Sequence, residues 1–263
     1  MSESGKPDGK LKSLFTAVAE PLIFTGAVTQ ALPGLFRKRG RRWREFFYYF
    51  DLCGYQSTAI VLLICGLMGV VLGIQGVIQM RRVGTEIFMV DLIGFSVLKE
   101  LGPLMVAMIA TGRAGSAFAA EIGTMKVNEE ISALRTMGIN PEEFLVLPKL
   151  MAMLVAMPLL TVFGDVSGIA GGMIVGVTVS NIPFAAYWGR TVEVLDIMTF
   201  ILGVGKSFLF AILITLAGCY CGFSSSGDAQ GVGRAATKAV VVSIFLVVVG
   251  DALMTLLYSF IGY

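Results

Sequence analysis

The sequence predicts an all-α polytopic membrane protein, and three observations carry this prediction. Of the 263 residues, 56% are hydrophobic and only 14% are charged, far from the balance of an ordinary soluble domain. Five apolar runs are long enough to cross a hydrocarbon core of about 30 Å, which takes about 20 helical residues. The runs are continuous, whereas strands of a membrane barrel would alternate with a period of two. The predicted spans are 58–80, 87–111, 150–179, 198–222 and 240–261, within one membrane permease domain covering 1–263.

Residues 1–55 are predicted to form a basic segment at the membrane surface. Apolar side chains between Leu11 and Leu22 recur at helical spacing, which favours an N-terminal interfacial amphipathic helix. A basic cluster from Arg37 to Arg44 then meets aromatic side chains, a combination suited to anionic headgroups and the aromatic belt. A topology anchor and specific lipid recognition both fit this pattern. A cleavable signal peptide is not expected.

The distribution of Lys and Arg predicts the orientation of the chain. Most of the 20 basic residues lie before the first span, in 113–149 or in 223–239, and few lie in the alternate loops. The positive-inside rule therefore places the N-terminus in the cytoplasm and, after five spans, the C-terminus on the other side. The loop from Ser180 to Asp196 is then external and is expected to hold a short interfacial helix or turn.

The polar segment 113–149 is predicted to be a cytoplasmic loop that contains a short helix. Asn128 is a suitable N-cap, and Gly138 followed by Pro141 is a typical end. Charged residues complement the helix dipole at its two ends, and apolar residues form one stripe. The charged residues are Glu129 and Glu130 in the first turn and Arg135 in the last turn. The apolar stripe consists of Ile131, Ala133, Leu134 and Met137. Because so short a helix is marginal alone, it must dock, either on a partner or on its own bundle.

Two adjacent ionisable residues, Lys99 and Glu100, lie near the middle of the second predicted span. Intramembrane charges are costly unless they face protein or a water-lined cavity, so they mark a predicted transport path. The two side chains point about 100° apart around a helix. Lys99 would suit a phosphate while Glu100 balances charge; an internal ion pair that fixes helix packing is the alternative. Pro103 predicts a kink just beyond them.

The chain lacks the residues that several common kinds of catalytic or nucleotide-binding site require. There is no histidine, and Cys53, Cys65, Cys219 and Cys221 are predicted to be small packing residues. The run Gly203 to Ser207 resembles the end of a phosphate-binding loop, but the position of its first glycine falls on Phe200. No catalytic residue, metal, cofactor or nucleic-acid partner is therefore predicted for this chain. Lys206 is expected to face a cavity or to snorkel to an interface.

Three motifs together carry a family resemblance. They are Lys99-Glu100-Leu101-Gly102-Pro103, Gly112-Arg113-Ala114-Gly115-Ser116-Ala117 and Ala120-Glu121-Ile122-Gly123-Thr124-Met125-Lys126. The likeness continues with Glu130, Ala133, Leu134, Met137-Gly138 and Pro141, and with the run from Gly231 to Thr237. The chain from about residue 45 onward closely resembles the MlaE (YrbE) permease family. Lys99 and Ala236 depart mildly, since the family often has Arg and Thr there.

The resemblance implies the membrane subunit of an ABC-type lipid transporter in the bacterial inner membrane. It implies a homodimer, two ATPase subunits that bind ATP and Mg²⁺ on the cytoplasmic side, and an MCE-domain (MlaD-like) protein on the periplasmic side. Glycerophospholipid would move between the inner membrane and the MCE protein, in support of outer-membrane lipid asymmetry. The matching ATPase-coupling residues are Glu121, Lys126, Glu129, Glu130, Ile131, Leu134, Arg135, Met137 and Gly138. The expected lipid-path residues are Lys99 and Glu100 with Val70, Ile74, Gln75 and Ile78 of the first span.

Two other classes remain open at this stage. An ion-coupled secondary transporter would use intramembrane charges as a relay, namely Lys99, Glu100, Asp165, Lys206 and Asp251. Five spans without a detectable inverted repeat argue against it. A membrane-embedded enzyme is less favoured, because the usual histidine base is missing.

Overall fold

The structure is a computed structural model that describes residues 24–26 and 39–261. The predicted interfacial helix between Leu11 and Leu22 lies outside the described residues. In the described part the ring of Phe24 packs against those of Tyr220 and Phe223, with centroids 5.9 and 5.8 Å apart.

Residues 39–261 are almost entirely helical, and five helical segments are long and apolar enough to cross a membrane. We number these segments span 1 (Trp43–Arg82), span 2 (Glu86–Val127), span 3 (Pro141–Thr178), span 4 (Ile197–Phe223) and span 5 (Ala229–Phe260). The ten helices of this region are α1 (Arg39–Phe50), α2 (Gln56–Val83), α3 (Met89–Ser96), α4 (Gly102–Ala110), α5 (Ser116–Val127), α6 (Glu130–Thr136), α7 (Pro141–Thr178), α8 (Phe184–Val194), α9 (Ile197–Phe223) and α10 (Ala229–Ile261). The predicted all-α class and its five membrane helices are confirmed.

Spans 1 and 2 are helices interrupted by π turns. Asp51–Tyr55 joins α1 to α2, Val97–Leu101 joins α3 to α4, and Thr111–Gly115 joins α4 to α5. Pro103 explains the second turn, because proline has no N–H and its ring displaces the carbonyl four residues back. The N–H of Gly102 accordingly donates to the carbonyl of Val97, five residues back. The irregularity predicted beyond the ions therefore falls on Lys99 and Glu100 themselves.

Span 3 is the centre of the bundle. In the most apolar stretch of span 3, 67% of the residues are buried, whereas the corresponding value for span 5 is 17%. Helix α7 is therefore surrounded by protein, and α10 lies at the periphery. Glycines let α2 approach α7 closely. A methyl group on Gly69 would overlap the carbonyl oxygen of Gly168, and one on Gly171 would overlap that of Gly66. This is the close backbone packing that small residues four apart allow in membranes.

The polar segment 113–149 is mostly continuous with the membrane helices rather than a loop. Span 2 runs on to Val127 and α7 begins at Pro141, so only residues 128–140 lie between them. The polar residues at both ends of the predicted loop are still helical, because helices extend past the hydrocarbon core they cross. Lys149 lies fully buried inside α7.

The short helix α6 forms in residues 128–140, but Asn128 does not cap it. Asn128 ends α5, and Glu129, with a left-handed φ of 58°, takes the N-cap position without a side-chain cap. The tight link explains the difference, since one left-handed residue reverses the chain and leaves no room for an extended cap. Gly138, with φ 73°, ends α6 as predicted. Asn140 caps the next helix by accepting a hydrogen bond from the N–H of Glu142 at 3.1 Å.

Helix also forms within the two other segments predicted as loops, 180–196 and 223–239. The predicted external helix is present as α8, and Arg190 ties it to Asp91 of α3 through two hydrogen bonds of 2.8 and 2.6 Å. The motif from Gly231 to Thr237 lies inside α10. Asp228 lies just before α10 and accepts a hydrogen bond from the N–H of Gly231. The hydrogen bond that the Ser226 hydroxyl donates to Asp228 is the main reason why the pKa of this carboxyl lies below its usual value.

Candidate functional site

A buried ion cluster joins spans 2, 4 and 5. The Nζ of Lys206 lies 2.6 Å from Oε2 of Glu100 and 2.9 Å from Oδ1 of Asp251. Lys206 also donates to the hydroxyl of Thr255 at 2.9 Å, and Thr255 donates to Glu100 at 3.1 Å. All three donors of the ammonium group thus have acceptors within protein. We call these four residues the ion cluster.

The burial of the ion cluster is uneven. The side chain of Lys206 is completely buried, whereas those of Glu100 and Asp251 are 32% and 17% exposed. A buried ammonium without partners would be very costly in hydrocarbon, so the two carboxylates are what makes Lys206 tolerable there. The formal charge of the cluster is −1 with both carboxylates ionised. Lys206 therefore neither faces an open cavity nor snorkels, the two outcomes expected from its sequence context.

The structure separates the two adjacent residues of the predicted lipid path. Glu100 lies in the ion cluster, as in the internal-pair alternative, although its partner is Lys206 rather than Lys99. Lys99 is half-buried, and no ion pair or hydrogen bond joins its side chain to another residue of the described regions. Of this adjacent pair, Lys99 is the charge still available for an anionic ligand.

The four span-1 residues of the predicted lipid path lie elsewhere. Ile74, Gln75 and Ile78 are exposed on the outer face of α2, and Val70 is half-buried. They share this face with other exposed apolar side chains, among them Leu63 and Leu67. Within one copy of the chain they contribute nothing to the ion cluster, whose residues come from spans 2, 4 and 5.

A second polar cluster lies at the end of the bundle that holds α6, which we call the α6 end. Lys149 of α7 lies 3.2 Å from Oε2 of Glu121 and donates to the hydroxyl of Tyr49 at 2.9 Å. Tyr49 in turn donates to Glu121 at 2.6 Å. The Lys149 ammonium also lies 4.3 Å from the centroid of the Tyr49 ring, a cation–π distance. This cluster joins α1, α5 and α7.

Two other basic residues of span 2 are bound internally at the α6 end. Lys126 donates to the carbonyls of Phe223 and Ser225 at 2.8 and 2.6 Å and so completes the C-terminus of α9. Arg113 donates to the carbonyl and the side-chain oxygen of Gln56 at the start of α2. Glu121 and Lys126, both predicted to couple to an ATPase, thus have partners within the chain.

Most of the other predicted coupling residues are exposed. Ile131 is buried and anchors α6 to the bundle, and Leu134 is half-buried. Met137 is 64% exposed, and four polar or small residues are exposed around it, namely Glu129, Glu130, Arg135 and Gly138. An open depression of about 790 Å³ lies along one face of α10, lined by residues that include Arg234 and Lys238. The α6 end therefore offers an apolar stripe with charges of both signs.

Sequence reasoning missed the ion cluster as a unit. The sequence grouped Lys206 and Asp251 only within a possible relay that also held Lys99 and Asp165, and the structure places neither of those two in the cluster. The available signal was that three apolar spans each carry a charged residue, with Glu100 and Asp251 opposite in sign to Lys206. Sequence reasoning also gave no sign of the second polar cluster, because Lys149 lies at the end of the predicted loop 113–149 and Tyr49 lies among the aromatic residues that follow the basic cluster Arg37 to Arg44. All four cysteines are buried and unpaired, as predicted.

Comparison with known proteins agrees with this architecture. The family model described as Permease MlaE matches residues 46–257. A probable ABC transporter permease protein of Rickettsia typhi is 37% identical over 202 residues, which cover 77% of this chain and 78% of the relative. The intermembrane phospholipid transport system permease protein MlaE of Haemophilus influenzae is 33% identical over 203 residues, covering 77% and 78%. The chloroplastic protein TRIGALACTOSYLDIACYLGLYCEROL 1 of Arabidopsis thaliana is 28% identical over 249 residues, covering 93% and 68%. With five membrane helices and a family match across most of its length, this chain belongs to the MlaE permease family.

Proposed function

We propose that this chain is the membrane subunit of an ATP-driven phospholipid transporter that works as a homodimer. Two ATPase subunits would dock at the α6 end, and an MCE-domain protein would receive or deliver lipid at the opposite end. The observation that carries the proposal is α6, an exposed helix with an apolar stripe on a chain that has no phosphate-binding loop. The printed names of the Rickettsia and Haemophilus relatives, an ABC permease and a phospholipid permease, support it.

The helix α6 has a direct mechanical route to the intramembrane charges. It follows α5 after two residues, and α5 belongs to the same interrupted helix as Lys99 and Glu100. A force on α6 would therefore reach the lipid path along span 2. It would pass two π turns, where the regular α-helical hydrogen bonds are replaced by bonds to the fifth residue along the chain. The Tyr49–Glu121–Lys149 cluster fixes the near end of this route against α1 and α7.

In this mechanism the lipid is recognised by two kinds of surface. Acyl chains need only an apolar wall, which Ile74 and Ile78 of span 1 provide at an exposed face suited to a second copy. The phosphate needs a cation, and Lys99 is the candidate for that role because Lys206 is already paired with Glu100 and Asp251. ATP and Mg²⁺ would be bound by the ATPase, not by this chain. The α6 end would be cytoplasmic, in a bacterial inner membrane.

The proposal is tested by ATPase activity of the purified complex in lipid nanodiscs. Leu134→Asp places a charge on the apolar stripe of α6, so we expect loss of ATPase co-purification and of lipid-stimulated turnover. A buried hot-spot contact of this kind is worth about 2 kcal/mol or more, which is at least about 30-fold in affinity.

Ser132→Asp is the matched control, because Ser132 is exposed on the same helix but off the apolar stripe. It should keep both co-purification and activity. Normal coupling in Leu134→Asp would contradict the docking role. Lipid movement by the chain alone, driven by a proton gradient and abolished by its collapse, would favour the ion-coupled alternative.

A further inference from the structure

Asp165 is a buried carboxyl that the proposed transport path does not use. It lies in α7, the central helix, and is 2% exposed. Neither of its carboxylate oxygens has a hydrogen-bond partner in the described structure. No Lys or Arg side chain of the described regions forms an ion pair with it, in contrast to Glu100 and Asp251 of the ion cluster.

An ionised carboxylate in such a place would be unstable. Moving a carboxylate from water into a medium of low dielectric costs far more than any single neutral hydrogen bond returns. A group in that position takes up a proton, which removes the charge and supplies an O–H donor. The question is then which acceptor lies beside it.

The packing around Gly102 brings one backbone acceptor close to the Asp165 carboxyl. A methyl group on Gly102 would overlap Oδ1 of Asp165 and would also lie 2.9 Å from the carbonyl oxygen of Val97. The two oxygens therefore lie against the same side of Gly102. The Val97 carbonyl accepts one hydrogen bond, from the N–H of Gly102 in the π turn, and a carbonyl oxygen has a second lone pair.

We propose that Asp165 is a neutral carboxylic acid that donates a hydrogen bond to the Val97 carbonyl and so positions the π turn carrying Lys99 and Glu100. Pro103 widens the helix at this turn, and Asp165 supplies a fixed hydrogen bond from the central helix. Asp165 is thus a positioning residue, since it acts through the turn and not on lipid. The consequence for transport rests on the proposed function, whereas the protonation state and the hydrogen bond do not.

Infrared difference spectroscopy on the complex in nanodiscs tests the protonation directly. Comparison of the wild type with Asp165→Asn should show loss of the C=O stretching band of a protonated acid, at the lowered frequency of a hydrogen-bonded one. Asp251→Asn is the matched control and should instead remove the bands of an ionised carboxylate. Loss of carboxylate bands in Asp165→Asn, or an acid band at the frequency of a free acid, would overturn the proposal.

A pair of substitutions tests the positioning role. Asn keeps a donor at this site without a charge, so Asp165→Asn should retain lipid-stimulated ATPase activity. Asp165→Leu has similar bulk and no donor, and we expect activity to fall about tenfold, the effect of one lost buried hydrogen bond. Equal losses in both variants would show that a negative charge is needed and contradict the inference. A wild-type complex with no lipid-stimulated activity would count against the proposed function and leave the infrared result standing.

Discussion

At the scale of single residues, the ion cluster shows how a membrane protein keeps a buried lysine. Each of the three donors of Lys206 meets an oxygen, and two of those oxygens belong to carboxylates on different spans. Such a cluster need not be more stable than an apolar replacement, but it is very sensitive to losing one member. The cost then comes from the partners that are left buried and unpaired.

Replacement of Lys206 by Met should therefore destabilise the protein strongly. Glu100 and Asp251 would remain close together without a cation, and breaking a buried pair in this way costs about 3–5 kcal/mol. The double variant with Glu100→Gln should recover part of that loss, because it removes one of the two orphaned charges. Thermal unfolding of the purified protein, followed by tryptophan fluorescence, measures both effects.

Lys238→Met serves as the control for this experiment, since Lys238 is exposed on α10 and its substitution removes the same charge. Its unfolding temperature should stay close to that of the wild type. A Lys206→Met variant as stable as this control would show that the cluster does not hold spans 2, 4 and 5 together.

The sequence pointed to the residues of this cluster but not to their arrangement. Lys99 and Glu100 were visible because two charges interrupt one apolar run, and Pro103 marked the irregular helix. Lys206 and Asp251 lie 45 residues apart on different spans, and only tertiary packing brings them within 2.9 Å. No periodicity along the chain encodes such a contact.

At the scale of helices, the contact between α2 and α7 depends on backbone meeting backbone. Gly69 and Gly168 lie so close that any side chain on Gly69 would displace the carbonyl of its neighbour. Membrane helices gain little from the hydrophobic effect once inserted, so dispersion and close approach hold them together. The two helices would have to separate to admit even a methyl group.

Substitution of Gly69 by Ala should accordingly lower stability, although alanine is the better helix former. We expect a loss of about 1–3 kcal/mol, the range for overpacking a well-packed interior. Gly233→Ala is the matched control in α10, because no heavy atom lies within 4 Å of the added methyl group. It should be neutral or stabilising by about 0.5–1 kcal/mol, as read by the same thermal assay. A Gly69→Ala variant that behaves like Gly233→Ala would contradict the close packing.

The ends of the helices were harder to predict than their existence. The apolar runs gave all five membrane helices, because about 20 apolar residues in series have few other uses. They gave no information on polar extensions, so 113–127 appeared as part of a loop although span 2 continues to Val127. Asn128 has the better capping side chain, yet the chain reversal places Glu129 at the cap. At this position the geometry of a two-residue connection between helices outweighs the preference of asparagine for the N-cap.

At the scale of the whole molecule, the proposed orientation places α6 in the cytoplasm and α8 on the opposite side. Membrane-impermeant maleimide labelling tests this directly. Ser132→Cys in α6 should react only in inverted vesicles, and Gly189→Cys in α8 only in intact spheroplasts, since both positions are exposed. The four native cysteines are buried and give little background. The reverse pattern would exclude the proposed arrangement and, with it, docking of a cytoplasmic ATPase on α6.

Span 2 and span 4 are fastened at two depths. Near the end of span 2, Lys126 donates hydrogen bonds to the carbonyl groups of Phe223 and Ser225 at the C-terminus of α9. Farther along the same two spans, Glu100 forms an ion pair with Lys206 of α9. Sliding or twisting of one helix past its neighbour would have to break both attachments together. Because Lys206 also binds Asp251 and Thr255 of span 5, these three spans move as one rigid unit, and any opening of the subunit must take place elsewhere, as along its border with span 1.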